Sequence, residues 1–315
     1  MQRFVLMMWT LLVAGCLSSR PEPLRTATNV WPGFEPLYAA RDLGLLDPRR
    51  VHLIEASSST EVSRMFRNGA IDAGGLTLDE AMRLADSGVD LAIVLVTDTS
   101  KGADAIVARP ELTRLRDLEG RRLGLESTAL GAMVAARAFE LGHVDPAKVI
   151  LVSLEIHEHA RAFDDGRVDA VVTFEPVRSA LLGRGAVSLF DSTQIPGEIV
   201  DVLVVRRRYL EQEPAIVDHL LSAWFEAASR LREQPEQILP IMAAREQMTV
   251  DAFRAALAGL DIPDEATNRE LLTDPSGLRA SGARLGAVMV ERGLLSRPAD
   301  VDGMLEAGPL LRVRR

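Results

Sequence analysis

The chain has 315 residues, about twice an ordinary domain, so it forms one large domain or two of usual size. Apolar residues at 47% and charged residues at 26% describe a globular balance and exclude a disordered chain. A formal charge of −9, with 36 basic and 45 acidic residues and no long basic run, argues against nucleic acid as a partner.

The first elements belong to export. Arg3 is the one charge before residues 4–14, which are apolar except for Thr10. This is the pattern of a signal peptide, too short to span a bilayer comfortably. It ends in Leu12-Val13-Ala14-Gly15-Cys16, and small residues before a lone cysteine resemble the lipobox of bacterial lipoproteins. The resemblance implies cleavage after residue 15 and acylation of Cys16, with several acyl chains giving stable attachment to the membrane. An ordinary secretory signal with an incidental cysteine is the alternative. Residues 16–23 read as a tether. Cys16 is the only cysteine, so no disulfide forms within the chain.

Short apolar runs then alternate with helical patterns. Strands are expected at 24–28, 51–55, 71–74 and 91–96, with helices at 35–45, 61–67 and 78–87 between them. The alternation resumes with strands at 105–108, 122–125, 149–154, 168–172 and 202–205, and from Pro214 onward the pattern is helical. Such alternation points to an α/β fold with parallel strands. One internal similarity organises the chain. Phe66-Arg67-Asn68-Gly69-Ala70-Ile71-Asp72-Ala73 and Phe163-Asp164-Asp165-Gly166-Arg167-Val168-Asp169-Ala170 share F-x-x-G-x-[IV]-D-A at an offset of 97 residues. Each copy closes an amphipathic helix on a glycine and enters a strand. Two lobes of like topology are expected: lobe one from 24–97 and 198–315, lobe two from 98–197, with crossovers at 97–102 and 190–197. Their facing strand ends would frame one crevice.

The run Asn29-Val30-Trp31-Pro32-Gly33-Phe34-Glu35-Pro36-Leu37, followed by Ala39-Ala40-Arg41-Asp42-Leu43-Gly44-Leu45-Leu46, resembles the opening of a family of solute-binding proteins. These serve bacterial ABC importers for nitrate, sulfonates, taurine and thiamine-type pyrimidines. Ile71-Asp72-Ala73-Gly74-Gly75, Asp104-Ala105-Ile106-Val107-Ala108, Leu118-Glu119-Gly120-Arg121-Arg122-Leu123-Gly124 and Met289-Val290-Glu291-Arg292-Gly293-Leu294-Leu295 extend the likeness over residues 24–311. The resemblance implies a two-lobed type II periplasmic-binding fold that closes on one ligand and delivers it to a membrane permease.

Ligand candidates follow from local chemistry. The turn Trp31-Pro32-Gly33-Phe34 would hold Trp31 or Phe34 over the crevice, or pack both rings on the next helix. Three helix N-termini offer unpaired N–H groups. Ser58-Ser59-Thr60-Glu61 and Thr77-Leu78-Asp79-Glu80 read as capping boxes whose glutamates compete with an anion. Ser127-Thr128-Ala129 carries no acid in its first turn, and is the best of the three for an anion or polar ligand. Acids gather at loop positions Glu35, Asp98, Glu126 and Glu175, with Phe174 beside the last. Either they cap helices and pair with arginines, or they face the crevice and ask for a ligand with an ammonium, an amidine-like edge or a nitrogen heterocycle. The second reading departs from nitrate and simple sulfonates.

Catalytic signals are weak. His157 and His159 sit two apart, and Arg161 occupies the position a zinc-protease motif would give its second histidine. No G-x-S-x-G surrounds Ser127, and Gly183-Arg184-Gly185 lacks the third glycine of a dinucleotide loop. The expectation is a monomeric, lipid-anchored, extracytoplasmic binding protein without metal or cofactor, partnered by an ABC permease. A sensory module reporting occupancy to a signalling partner is the rival. A pyrimidine-synthase-like enzyme, for which His52 would be the candidate histidine, stands behind it.

Overall fold

A computed structural model describes residues 22–127 and 129–312; the leader, Cys16 and Thr128 lie outside the described residues. The described chain carries eleven strands: β1 Leu24–Thr28, β2 Val51–Glu55, β3 Ala73–Thr77, β4 Leu91–Ser100, β5 Ala105–Ala108, β6 Arg122–Leu125, β7 Ile150–Ser153, β8 Ala170–Thr173, β9 Val187–Asp191, β10 Val200–Arg206 and β11 Leu260–Asp261. They form two sheets, ordered β11-β4-β10-β3-β1-β2 and β7-β6-β8-β5-β9. Nine strands match the apolar runs of the sequence. β4 extends four residues beyond its expected end, and β9 occupies a segment whose first part reads as loop and whose last two residues read as crossover. β9 is short and mostly half-exposed, so it lacks a continuous apolar signal. β4 and β10 are buried almost throughout, because helices cover both faces of their sheet.

The 97-residue repeat is structural. Moved 97 positions along, β1, β2, β3 and β4 fall on β6, β7, β8 and β9, and β5 falls on β10. The two sheets then share one strand order, with β11 as an added edge on the first. β5 pairs antiparallel with β8, and β10 pairs antiparallel with β3, so each crossing strand completes the sheet of the other lobe. The repeated aspartates do the same work twice. Asp72 accepts a two-pronged bond from Arg25 at 2.7 and 3.0 Å, and Asp169 accepts one from Arg122 at 3.1 and 2.9 Å. Each pair ties the strand after the helix to the first strand of its lobe, in the geometry that a planar guanidinium favours. The repeated glycines, Gly69 and Gly166, both adopt left-handed backbone at φ of 71° and 70°. Arg109 lies over the Phe163 ring and Arg206 over the Phe66 ring, each also donating to the carbonyl of the phenylalanine it covers.

Two threads connect the lobes, one between β4 and β5 and one between β9 and β10. They are pinned together. The Ser100 and Ser192 hydroxyls lie 2.8 Å apart, and Ser192 Oγ also accepts the Gly102 amide at 2.6 Å. Ser100 Oγ accepts the Asp104 amide at 3.2 Å, and the Ser100 amide donates to the Ile199 carbonyl at 3.0 Å. The helical C-terminal part builds on the first sheet. Its long helix Pro214–Glu233 buries Trp224 and packs against the helix Glu35–Asp42. No helix of the described residues is long and apolar enough to cross a membrane.

Candidate ligand-binding cleft

The carboxyl ends of the first sheet set the floor. Thr77 ends β3, and in register it opposes Asp201 of β10, which in turn opposes Asp98 of β4. Three polar side chains therefore stand in one row across three strands. Two of them are carboxyls directly opposite, an arrangement that like charge disfavours. Asp104 joins them from the thread between β4 and β5. All four residues are at most 4% exposed.

Aromatic rings from both lobes form the walls. The turn before the helix Glu35–Asp42 carries Trp31 and Phe34, buried in contact with Phe174 of the second lobe. The Trp31 and Phe174 rings meet edge to face, with centroids 5.6 Å apart. Trp31 Nε1 donates to Asp98 Oδ2 at 3.2 Å, which fixes the indole against the acid row. Gly33 makes this approach possible: a methyl group there would lie 1.8 Å from Asp98 Oδ2 and 2.5 Å from Trp31 Nε1. The lobes are closed on one another, and the space left between these side chains is about 20 Å³, room for one water molecule.

The sequence-predicted residues divide by location. Trp31, Phe34, Thr77 and Phe174 line the space, and Asp98 stands directly behind Trp31. Asp98 lies inside β4 rather than in the loop after it, because β4 runs on to Ser100. Ser58 caps the helix Ser59–Arg67 by accepting the Glu61 amide at 3.3 Å, and its neighbour Ser59 reaches the cleft instead, donating to Glu80 Oε1 at 2.7 Å. Glu80 Oε2 accepts the Thr77 amide at 3.2 Å. Glu35 pairs with Arg245 at 2.7 Å, and Glu175 accepts from Arg178 at 3.0 Å and from the Ser179 hydroxyl at 2.9 Å. Glu126 is buried and accepts the Ile156 amide at 3.4 Å. Ser127 is exposed, 2.6 Å from the Ser153 hydroxyl, and borders a second hollow of about 240 Å³ with Arg64, Arg67, Arg83 and Glu80, the last shared with the ring-lined space. His157 and His159 do not converge: His159 is buried beside Thr173 at 3.2 Å. No group of three or more His, Cys, Asp or Glu among the described residues is arranged to hold a metal ion.

Asp201 and Asp104 escaped the reading of loops, and Glu80 was read only as a cap. A signal for Asp201 existed: it is the one charged residue in the apolar run 200–205, and acids are almost never buried unpaired. Burial governs the electrostatics of this set. It pushes Asp98 up to about 7 and Asp104 up to about 7, where the neighbouring carboxyls add repulsion. Asp201 is raised well above the ordinary carboxyl range, by burial first and then by Asp98 and Asp104. Asp79 rises to about 7 and Glu126 to about 8 for the same reason. Asp104 Oδ2 has no hydrogen-bond partner, whereas the Thr77 hydroxyl caps the helix Leu78–Asp86 and the Asp98 carboxyl meets that of Asp201.

Known proteins place this architecture. The profile of the NMT1-like family matches residues 18–244. A putative aliphatic sulfonates-binding protein of Escherichia coli strain K12 is 23% identical over 231 residues, covering 71% of this chain and 72% of its own. Among solved structures, the alkanesulfonate-binding protein SsuA of Xanthomonas axonopodis pv. citri bound to MOPS superposes with a TM-score of 0.76 at 18% identity, covering 92% of this chain and 99% of that one. The periplasmic aliphatic sulphonate binding protein SsuA of Escherichia coli gives 0.74 at 19%, covering 93% and 100%. The desulfurization enzyme DszB gives 0.68 at 17%, covering 92% and 98%, so the same fold also carries chemistry. The fold is the two-lobed type II periplasmic-binding fold, and the chain belongs to the NMT1-like family.

Proposed function

We propose that the protein is the extracytoplasmic solute-binding component of an ABC importer, capturing a small polar solute between its lobes. One observation carries the reading: aromatic walls from both lobes, Trp31 and Phe34 against Phe174, meet over a buried carboxyl, Asp104, whose Oδ2 lacks a partner. Side chains from both lobes are what closure requires, since a ligand shifts an open–closed equilibrium only through contacts better made when closed. The paired crossing threads supply the hinge. The sulfonate-binding relatives support this assignment, and a permease that recognises the closed form follows from it. Cys16 is the proposed acylation site, holding a monomer at the outer face of the membrane through residues 16–23.

A thermal-shift screen of the purified mature protein tests the reading. Alkanesulfonates, amines and pyrimidines form the panel, and at least one class is expected to raise the melting temperature by mass action. Trp31→Ala should weaken that ligand roughly tenfold by removing one aromatic wall. Failure of every class to move the transition, or full affinity without the indole, would overturn it.

A further inference from the structure

We infer that the cleft is built for an organic cation, its ammonium or amidinium group seated on Asp104 with Asp98 and Asp201 behind it, and its apolar body between Trp31, Phe34 and Phe174. The inference rests on the solute-binding reading and names the class of solute. Its basis is a mismatch inside the closed cleft. Three carboxyls, Glu80, Asp104 and Asp201, line the space, and Asp98 stands behind Trp31. No arginine, lysine or histidine is among the described residues that line that space.

Two half-buried arginines, Arg178 and Arg245, are held by carboxylates and do not line the space. Arg178 pairs with Glu175, and Arg245 pairs with Glu35 and Glu55. Asp104, 3% exposed, keeps Oδ2 without any hydrogen bond. An unsatisfied acceptor at such depth is rare and costly, and a ligand N–H group would satisfy it. An anion would instead bring a further negative charge into an acid-lined, water-poor space.

The carboxyls that face Asp104 come from every adjoining element. They are Asp98 from β4, Asp201 from β10, Glu80 from the helix Leu78–Asp86 and Glu175 from the loop after β8, the last with Arg178 beside it. Asp79 and Glu126 stand further back against Glu80. No three of these acids are arranged to close on a metal ion, whereas the three rings suit a flat or alkyl body and add cation–π attraction.

Burial holds these acids partly protonated near neutral pH, so the charge of a ligand is written in the protons it moves. A cation displaces protons on binding; an anion takes them up through carboxyls acting as donors.

Isothermal titration of the mature protein with benzamidinium, benzoate and benzenesulfonate, three probes of one shape, separates the cases. Benzamidinium is expected to bind most tightly, to release protons when heats are compared in buffers of different ionisation enthalpy, and to tighten from pH 5.5 to pH 8. Asp104→Asn, its fold checked by circular dichroism, should lower benzamidinium affinity about ten- to a hundredfold. Tighter binding of benzenesulfonate or benzoate, proton uptake with the favoured probe, or benzamidinium affinity untouched by Asp104→Asn would overturn the cation inference and leave the solute-binding reading standing. Binding by none of the three probes would overturn the cation inference; the broader reading would then stand or fall by the thermal-shift panel.

Discussion

Asp104 shows what a single buried carboxyl does to a protein that awaits a ligand. Unfolded, it ionises near its ordinary value of 3.8; folded, it does so near 7, as do Asp98 and Asp79. Between those values the folded state holds protons that the unfolded state has released, so stability falls as pH rises. The contribution is complete below the unfolded value and lost above the folded one. His159, held down to about 4 by burial, and His219, lowered by burial as well, work in the opposite sense below pH 6.5, but are two groups against several. The ligand-free protein should therefore melt at a lower temperature at pH 7.5 than at pH 5, and Asp104→Asn should flatten the decline. Differential scanning calorimetry across that range checks it, and a melting temperature that rises over the window would contradict the electrostatics described here. At this scale the sequence was half legible. Trp31, Phe34, Thr77 and Phe174, candidates by residue type and position, line the space, whereas the equally acidic Glu175 and Glu35 pair with arginines. Only a neighbour in space separates a satisfied acid from an unsatisfied one.

The hinge belongs to the scale of elements. Ser192 Oγ bridges the two threads, accepting the Gly102 amide and facing the Ser100 hydroxyl. Both serines are buried, so Ser192→Ala leaves the amide without its partner, at a cost of about 1–3 kcal/mol. Urea unfolding should show that loss with an unchanged slope, because the surface exposed on unfolding stays the same. A variant as stable as the parent would show that the bridge does not hold the threads. The sequence places the crossovers at 97–102 and 190–197, where its strand patterns stop, and β4 runs on to Ser100 inside the first of them. Their stitching was not legible, because Ser100 and Ser192 lie 92 residues apart and nothing local marks either. The same holds for β9, whose weak pattern hides a strand that only its pairing with β5 stabilises.

For the whole molecule, closure is the central event. With about 20 Å³ of water-accessible space between Trp31 and Phe174 and their neighbours, these side chains must part to admit an organic solute. Opening must precede binding, and the interlobe contacts that close again include the ion pair of Arg292 with Glu140 at 3.6 Å. Small-angle scattering should record a radius of gyration that changes when a ligand from the thermal-shift panel is added to saturation. An unchanged radius alongside proven binding would mean that the lobes do not move.

The amino-acid sequence determined the architecture, since hydrophobic period, glycine caps and the 97-residue repeat are local patterns that each lobe reads independently. Arg25 with Asp72 and Arg122 with Asp169 show how faithfully it did so, with identical spacing in both lobes. The character of the cleft was decided by tertiary structure alone. Register sets Thr77, Asp201 and Asp98 side by side from three distant segments, and burial then changes what those carboxyls are. A carboxyl's proton affinity depends on the water and charges around it, and these are properties of the assembled fold rather than of the residue.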